Sequence, residues 1–318
     1  MSKLNFLNNK DQAGFESFDD CGIYRINDKQ SIIQTLDFFT PIVDDPYKFG
    51  QIAASNSLSD IYAMGGKPLF ALNIVAFPTE EISLDVLSLI LKGGQDKCKE
   101  ANINILGGHS IKDQTPKYGL AVTALIDNDK ILKNNTPDNN DCIILTKPLG
   151  SGIITTAIKR GIAKSETSNE VIELMSSLNV DLSSTKIKIN ACTDVTGYGL
   201  LGHLNEMCHN TNLSASINLQ QIPFIESAMN FAKKDVVPGG TKNNLKFYEN
   251  NISFHKSIKK YEKLMLADAQ TSGGLLISIC DKEAPELLEF LNSNSNYTSK
   301  VIGKFVRKKG TNIIVNNE

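Results

Sequence analysis

The 318-residue chain has no tryptophan, no Cys-x-x-Cys pair and no excess of either charge, since 33 Lys and Arg balance 35 Asp and Glu. Six isolated cysteines are typical neither of a disulfide framework nor of a structural zinc site. The near-neutral balance argues against a nucleic-acid binder that depends on a basic surface. No apolar run approaches the ~20 residues that span a bilayer, and residues 1–11 contain no apolar signal-peptide core. We therefore expect a cytoplasmic protein that binds neither nucleic acid nor a membrane.

The length of the chain and a change in its sequence texture predict two domains, residues 1–147 and 148–318. Both alternate apolar strand-like runs with helix-like periodicity, which is typical of α/β proteins. Strands of the first domain are predicted at residues 31–36, 69–77, 104–106, 118–126 and 141–146. The second domain is predicted to contain helices at 153–160, 169–178, 200–209 and 224–233, a strand at 214–219, a Gly/Pro/Asn-rich loop at 238–244 and a terminal strand–helix–strand over 275–306.

Two helices of the first domain have recognisable ends. Asp44 or Asp45 can cap a helix that has Pro46 in its first turn, the position that tolerates proline. Gly65 is placed to end this helix, since glycine readily adopts the left-handed conformation found there. Ser83 is placed to cap the second helix, which is predicted to extend to about residue 101.

Acidic residues recur where predicted strands begin and end. Asp20 precedes a strand-like segment, and Asp37 ends the next strand. Asn56 and Asp60 are four residues apart, so both project from one face of the first helix. Carboxylate and amide oxygens are ligands that Mg²⁺ takes in proteins, usually together with substrate phosphates. The pattern is compatible with a magnesium–nucleotide site, but spacing alone favours the simpler interpretation that these acids are solvated or capping groups.

A glycine pair follows the predicted strand at 104–106. In the run Gly107-Gly108-His109-Ser110, the glycines let backbone N–H groups approach an anion, and the hydroxyl and imidazole add further donors. From the residues alone, we favour an ordinary turn from strand to loop over an anion-binding site.

A third segment matches the dinucleotide fingerprint G-x-G-x-x-G through Gly197, Gly199 and Gly202. That motif requires an acidic residue about 20 positions later for the ribose, and residues 211–223 contain no Asp or Glu. We therefore reject a dinucleotide site and consider Asp194, which opens this Gly-rich segment, as a metal ligand. The chain also contains no G-x-x-x-x-G-K-[ST] motif, which excludes a P-loop.

The cysteines and two of the histidines are expected to be structural. The cysteines lie mostly in apolar contexts that are typical of buried, inert thiols. Cys21 follows Asp19 and Asp20 and is therefore expected near the proposed site, without a role as a nucleophile. His203 and His209 flank a predicted helix and are expected to pack or to lie on the surface.

Taken together, these segments resemble one family closely, the selenophosphate synthetases, also called selenide, water dikinases. The resemblance extends from about Gly14 to the last predicted strand. The matching segments are residues 37–46, 56–60, 62–68, 107–110, 193–203, 238–241 and 270–274.

The resemblance implies a fold, a reaction and an assembly. The fold would be the two-domain α/β (α+β) fold of aminoimidazole ribonucleotide synthetase, with mixed sheets packed against helices. The reaction would convert ATP, selenide and water into selenophosphate, AMP and orthophosphate, and the enzyme would be a homodimer with ATP sites near the subunit interface. The alternatives are a non-catalytic ATP-binding homologue and another ATP-dependent synthetase or kinase of the same superfold.

The resemblance also implies roles for individual residues. Asp20, Asp60 and Asp194 match magnesium ligands, and Asp37 and Asp60 match residues that contact ATP as well. In the family, a short stretch contacts the nucleotide, and it matches Ser17, Phe18 and Asp19 of this chain. In the family, a segment of one subunit contacts the ATP bound by its partner, and it matches Gly108, His109 and Ser110 of this chain.

One part of the family pattern has no counterpart here. The family carries a mobile Gly-rich segment with a catalytic Cys, or selenocysteine, and then a Lys, upstream of the stretch that matches residues 14–20. Residues 1–13 contain no cysteine, and neither Lys3 nor Lys10 lies in a Cys-x-x-Lys context. The sequence thus predicts a dikinase that lacks this segment, and no catalytic residue is assigned. A start site placed too far downstream, a trimmed chain and a short natural homologue with altered function would each produce this pattern.

Overall fold

The computed structural model describes residues 12–13 and 18–317, which form two sheets flanked by helices. Six strands form the N-terminal sheet: β1 (Gln12–Ala13), β2 (Gly22–Arg25), β3 (Gln30–Phe39), β4 (Lys67–Phe77), β5 (Asn104–Lys112) and β6 (Lys117–Asp127). Their order across the sheet is β1-β2-β3-β6-β4-β5, and neighbours are antiparallel except for the parallel pair β4 and β5. Two helices, α1 (Pro46–Ala63) and α2 (Leu84–Glu100), belong to this half of the chain.

Seven strands form the C-terminal sheet: β7 (Cys142–Leu145), β8 (Ala191–Asp194), β9 (Leu213–Asn218), β10 (Ile252–Phe254), β11 (Leu275–Ile279), β12 (Lys300–Arg307) and β13 (Ile313–Asn316). Their order is β10-β13-β9-β12-β7-β11-β8. The helices of this half are α3 (Ser151–Lys159), α4 (Ser165–Ser176), α5 (Gly199–Met207), α6 (Glu226–Lys233), α7 (Gly239–Tyr248), α8 (Lys260–Leu266) and α9 (Ala284–Ser293). Across the described part of the chain, no helix has the length and apolar character needed to cross a membrane.

The ends of α1 follow from local chemistry, as predicted. The Asp45 carboxylate accepts a hydrogen bond from the backbone N–H of Lys48 at 3.0 Å, and Pro46 occupies the first turn. Gly65 adopts φ +73° just beyond the helix, which stops the helical hydrogen-bond pattern. The predicted cap of α2 is also confirmed, because Ser83 Oγ accepts from the backbone N–H of Asp85.

Strand β3 separates an apolar outer face from an inner face that carries polar groups. Ile33 and Thr35 are buried on the side of α1, whereas Leu36 and Phe38 are 57% and 47% exposed on the other side. This is the period-two alternation of a strand with one covered face. It places the polar side chains of Thr35 and Asp37 against α1.

A shared hydrophobic core joins the two halves of the chain. The cluster that contains Ile33 and Leu58 continues through Ile153 on α3 and Val171 on α4. Helix α1 lies at this junction, and its Ser55 Oγ donates to the carbonyl oxygen of Ser176, the last residue of α4, at 2.8 Å. Side chains on this part of α1 are therefore held firmly against the C-terminal half.

Two predictions about loops were wrong. Residues 107–110 lie inside β5 rather than in a turn, because Asn73 and Ile74 of β4 pair with Gly108 and His109. Residues 239–244 begin α7 rather than forming a loop. Here Thr241 Oγ1 donates to Asp268 at 2.9 Å and accepts from the backbone N–H of Ala269 at 3.2 Å, so a tertiary anchor overcomes the low helix propensity of the sequence.

Candidate active site

Three predicted metal ligands converge at the junction of the two halves. Asp20, Asp60 and Asp194 each offer a carboxylate oxygen, and these atoms all lie within 4.8 Å of one another. Asp20 precedes β2, Asp60 projects from the last turn of α1, and Asp194 ends β8. The cluster therefore draws on both halves of the chain, at the point where the shared core fixes them.

Each carboxylate of this cluster is oriented by a hydroxyl group. Thr193 Oγ1 donates to Asp20 Oδ1 at 3.0 Å, the hydroxyl of Thr35 donates to Asp60 Oδ2, and the hydroxyl of Ser59 donates to Asp194 Oδ2. The second oxygen of Asp20, Oδ2, is buried and has no hydrogen-bond partner among the described residues. A buried carboxylate oxygen without a partner is costly, and its position beside two further carboxylates fits a hard divalent cation.

The electrostatics of the cluster also favour a bound cation. Burial is the main cause that raises the pKa of Asp20 and of Asp60 well above the ordinary value, and the nearby Asp194 carboxylate is the second cause. Burial raises the pKa of Asp194 as well, although its hydrogen bond from Ser59 opposes this. No lysine or arginine in the described ranges forms an ion pair with these three carboxylates. A bound cation would favour the ionised form of all three carboxylates.

Asp37 lies beside the cluster and is tied to both halves of the chain. Its Oδ2 accepts a hydrogen bond from Asn56 Nδ2 at 2.6 Å. The other end of this amide, Asn56 Oδ1, accepts from the backbone N–H of Ser272 at 2.8 Å. Burial, and to a lesser extent the nearby Asp194 carboxylate, raises the pKa of Asp37 to about 6. The predicted common face of Asn56 and Asp60 is thus turned toward the acidic site.

The remaining predicted site residues are placed as follows. Ser17 lies outside the described residues. Phe18 and Asp19 adjoin Asp20 and are held by Asn134, which donates to the carbonyl oxygen of Phe18 at 2.5 Å and to Asp19 Oδ1 at 3.2 Å. Gly108, His109 and Ser110 are exposed on the edge strand β5, three strands away from the β3 strand that carries Asp37. Within one chain, the structure does not bring this segment to the carboxylates.

An aromatic pocket adjoins the carboxylate cluster. It has a volume of about 530 Å³ and is lined by Phe18, Tyr198, Asn205, Glu206, His209, Asn243, Asn244, Phe247 and Tyr248. The Phe18 ring meets the His209 ring edge-on, with centroids 5.2 Å apart. The Glu206 carboxylate is close enough to contribute to the raised pKa of Asp20, so this pocket and the cluster are neighbours.

Sequence reasoning did not single out the polar residues that support the cluster. Lys147 is buried and donates from Nζ to the carbonyl oxygens of Ser177 at 2.7 Å and Ser272 at 3.1 Å. Burial lowers its pKa to about 7, while the nearby Asp194 favours its charged form. Asn179 is equally buried and bonds to Ser59 and Gly273. The sequence marks the segment at 270–274 only through its match to the family, and no local pattern marks Lys147 or Asn179.

The histidine and cysteine predictions agree with the structure. His203 is buried, and its Nε2 accepts from the backbone N–H of Thr196 at 3.1 Å, so it shapes the turn after β8. Cys21 is buried beside the cluster, with its backbone N–H directed at the sulfur of Met64. Burial, and to a lesser extent the nearby Asp60 carboxylate, raises the pKa of the Cys21 thiol. A raised pKa disfavours the thiolate and therefore a role as a nucleophile.

Comparison with known proteins is consistent with this architecture. The family model "AIR synthase related protein, N-terminal domain" matches residues 18–126, and "AIR synthase related protein, C-terminal domain" matches residues 138–316. Among solved structures, thiamine-monophosphate kinase from Stenotrophomonas maltophilia superimposes with a TM-score of 0.70 over 98% of this chain and 93% of that one, at 15% identity. This likeness, together with the two family matches, confirms the predicted two-domain fold.

Curated relatives are much closer in sequence. Selenide, water dikinase from Carboxydothermus hydrogenoformans is 48% identical over 95% of this chain and 88% of the relative. The proteins of the same name from Clostridioides difficile and Myxococcus xanthus are 45% and 49% identical, over 93% and 88% of this chain and 85% and 81% of their own lengths. The predicted resemblance is therefore confirmed, and the chain belongs to the selenide, water dikinase family of AIR synthase related proteins.

Proposed function

We propose that this protein is a selenide, water dikinase, an ATP-dependent phosphotransferase that converts ATP, selenide and water into selenophosphate, AMP and orthophosphate. The observation that carries the proposal is the buried Asp20–Asp60–Asp194 cluster, in a chain that is 45–49% identical to proteins of that name over most of its length. The six cysteines are all free, which supports a reducing compartment, and we place the enzyme in the cytoplasm.

In this proposal, Asp20, Asp60 and Asp194 hold Mg²⁺, and Asp37 lies where it can contact both the metal and the nucleotide. Four clustered carboxylates would repel a triphosphate if they met it directly. Bound magnesium neutralises that repulsion and the charge on the transferring phosphoryl group. The contribution of the protein is to fix the carboxylates before ATP arrives, through the hydroxyls of Thr35, Ser59 and Thr193.

The aromatic pocket is the proposed place of the nucleobase. It adjoins the cluster on the side of Phe18, so a nucleotide with its phosphates at the carboxylates can extend its base toward Tyr198 and Phe247. Aromatic rings stack on nucleobases, and the carboxamides of Asn205 and Asn243 can both donate and accept hydrogen bonds at the edge of the base. The positions of Phe18 and Asp19 support their proposed contact with ATP.

Removing an aromatic ring from this pocket is expected to weaken ATP binding. Stacking on one ring contributes about 1–3 kcal/mol, so Tyr198→Ala should raise the KM for ATP about tenfold and leave kcat nearly unchanged. Steady-state kinetics with varied ATP measures both constants. Leu89→Ala, an exposed position on α2, is the control and should change neither. An unchanged KM in Tyr198→Ala would contradict this placement of the base.

The outer face of the N-terminal sheet is the proposed homodimer interface. Large apolar side chains are exposed there on three strands: Leu36 57%, Phe38 47%, Leu69 49%, Leu72 36% and Leu106 66%. A sheet face with several exposed large apolar side chains is typical of a protein–protein contact. Because Gly108, His109 and Ser110 lie on the same edge strand as Leu106, a second copy docked there could offer them to its partner's ATP. This supports the role that the sequence predicted for the three residues.

The raised carboxyl pKa values predict how the stability of the metal-free protein depends on pH. The pKa of Asp37 rises from its usual 3.8 to about 6 on folding, and those of Asp20 and Asp60 also rise. Between the unfolded and folded values the native state binds more protons, so the free energy of unfolding falls as pH rises from about 4 through 6. Buried Asp268, whose pKa is raised to about 7, contributes a slope of the same sign that does not depend on metal.

The difference between Tm with Mg²⁺ and Tm with EDTA therefore isolates the cluster. We expect this difference to be small at pH 4 and to grow steadily up to pH 6.5. Asp60→Asn, which removes one of the titrating carboxyls, should reduce the growth. A difference that is independent of pH would show that these carboxyls do not bind the cation.

The reaction itself is tested by anaerobic ³¹P NMR of the protein with ATP, Mg²⁺ and selenide. We expect selenophosphate, AMP and orthophosphate to appear in equal amounts. If ATP binds but none of these products appears, the protein is an ATP-binding homologue without dikinase activity. If ATP is consumed without selenophosphate, it is a different ATP-dependent enzyme of the same fold.

A further inference from the structure

The loop from Gln270 to Gly274 contacts the acidic site from the C-terminal half, and two buried carboxamides connect it to the carboxylates. Asn56 is one of them. Its Oδ1 accepts from the backbone N–H of Ser272 at 2.8 Å, and its Nδ2 donates to Asp37 Oδ2 at 2.6 Å. Because a backbone N–H can only donate, the amide has one possible orientation, with its NH₂ group on the carboxylate. Asn56 thus links the loop to Asp37 through both of its ends.

Asn179 makes the second connection. Its Nδ2 donates to the carbonyl oxygen of Gly273 at 2.9 Å and to Ser59 Oγ at 2.8 Å. Since Asn179 occupies an acceptor site of this hydroxyl, the single proton of Ser59 is directed to Asp194 Oδ2. A continuous chain of hydrogen bonds therefore runs from Gly273 through Asn179 and Ser59 to Asp194.

The loop itself has little freedom to move. Ser272 adopts φ +49°, and its backbone carbonyl accepts from the buried ammonium of Lys147 at 3.1 Å. A Cβ atom added at Gly273 would lie 2.0 Å from the carbonyl oxygen of Val195, and one added at Gly274 would lie 2.4 Å from the backbone nitrogen of Lys147. The loop is thus a fixed reference, packed between β8 and the start of α3.

We propose that Asn56 and Asn179 are positioning residues that form an interdomain clamp. The clamp fastens Asp37 of the N-terminal half and Asp194 of the C-terminal half to adjacent residues of one rigid loop, and so sets the spacing of the carboxylates across the domain junction. This inference rests on the proposed magnesium–ATP site. Its physical basis is that preorganised charged groups need no rearrangement when the cation and the triphosphate bind.

The alternative explanation is that both amides merely strengthen the domain junction. Ser55 provides a matched control, because it lies on the same helix as Asn56, is equally buried and also bonds across the junction, to the carbonyl oxygen of Ser176 at 2.8 Å. Among the described residues, Ser55 Oγ is hydrogen-bonded to this carbonyl oxygen and to no carboxylate. A structural role predicts similar effects for Ser55→Ala and Asn56→Ala, whereas a clamp predicts different ones.

The test is a calorimetric titration of each variant with Mg²⁺ in the presence of a non-hydrolysable ATP analogue, accompanied by thermal melting. We expect Asn56→Ala and Asn179→Ala to weaken Mg²⁺ binding about 10–100-fold, the range found for groups that orient metal ligands. Ser55→Ala should lower the Tm by a similar amount and leave Mg²⁺ affinity unchanged. The kcat for ATP should fall in the two asparagine variants alone.

Isosteric variants keep the test decisive if an alanine variant does not fold. Asn56→Leu and Asn179→Leu keep the approximate size of the side chain but remove the NH₂ donors without adding charge, and each should weaken Mg²⁺ binding at least as much as alanine. Equal Mg²⁺ affinity in the Asn and Ser55 variants would overturn the clamp while leaving the proposed function intact. Wild-type protein that binds no Mg²⁺ with the analogue would instead overturn the proposed function, and the clamp with it.

Discussion

Replacing Asp60 by asparagine should lower magnesium-dependent turnover by about 10²–10³-fold while the protein stays folded. Asp60 contributes one of the three mutually close carboxylates, and its raised pKa shows that the fold holds this charge at a cost. An asparagine side chain of the same shape still accepts a hydrogen bond from the hydroxyl of Thr35. The change therefore removes charge and metal affinity but little packing.

Turnover at saturating Mg²⁺ measures the expected loss of activity, and the Tm in EDTA measures whether the variant stays as stable as the wild type. The Tm of metal-free Asp60→Asn should equal or exceed that of the wild type, because one repelling charge is gone. Asp129→Asn, an exposed acid outside the site, is the control and should change neither quantity. Full activity of Asp60→Asn at low Mg²⁺ would remove the carboxylate cluster from the mechanism.

Placing a charge on the outer face of the N-terminal sheet should separate the proposed dimer and abolish most of its activity. Leu69→Asp puts a carboxylate at a half-exposed apolar position on β4. In the dimer, this charge would be buried in an apolar interface without a partner, which is strongly unfavourable. If Gly108, His109 and Ser110 act on the partner's ATP, the resulting monomer should lose at least about 10²-fold in turnover.

Sedimentation and kinetics on the same preparations test this prediction. Leu84→Asp, at an equally exposed leucine on the helical side of the molecule, is the matched control and should remain dimeric and active. An active monomeric Leu69→Asp protein would contradict the shared site. A Leu69→Asp protein that remains dimeric would place the interface elsewhere.

What the sequence predicts well is local chemistry. The caps of α1 and α2 at Asp45 and Ser83 depend only on a side chain and a backbone N–H two or three residues away, so the sequence contains all the necessary information. The same holds for Asn56 and Asp60, whose common face follows from helical geometry. By contrast, spacing alone left open whether the acids form a metal site, and the resemblance to a family, confirmed by the comparisons, supported that interpretation.

What the sequence predicts poorly depends on distant partners. Residues 107–110 have the glycines of a turn, but pairing with β4, more than thirty positions earlier in the chain, keeps them in a strand. The start of α7 is stabilised by the bond from Thr241 to Asp268, 27 residues away. Asn179 and Lys147 reach the site through bonds to Gly273 and Ser272, 94 and 125 residues away. No periodicity or motif encodes such contacts.

The mechanism depends on the binding of ATP, through Mg²⁺, to the cluster of Asp20, Asp60 and Asp194. Calorimetric titration with a non-hydrolysable ATP analogue measures this binding. We expect the wild-type protein to bind the analogue in Mg²⁺ and to lose this binding in EDTA. Asp60→Asn and Asp194→Asn should bind the analogue weakly even in Mg²⁺. Equally tight binding in EDTA, or wild-type affinity in both variants, would contradict this mechanism.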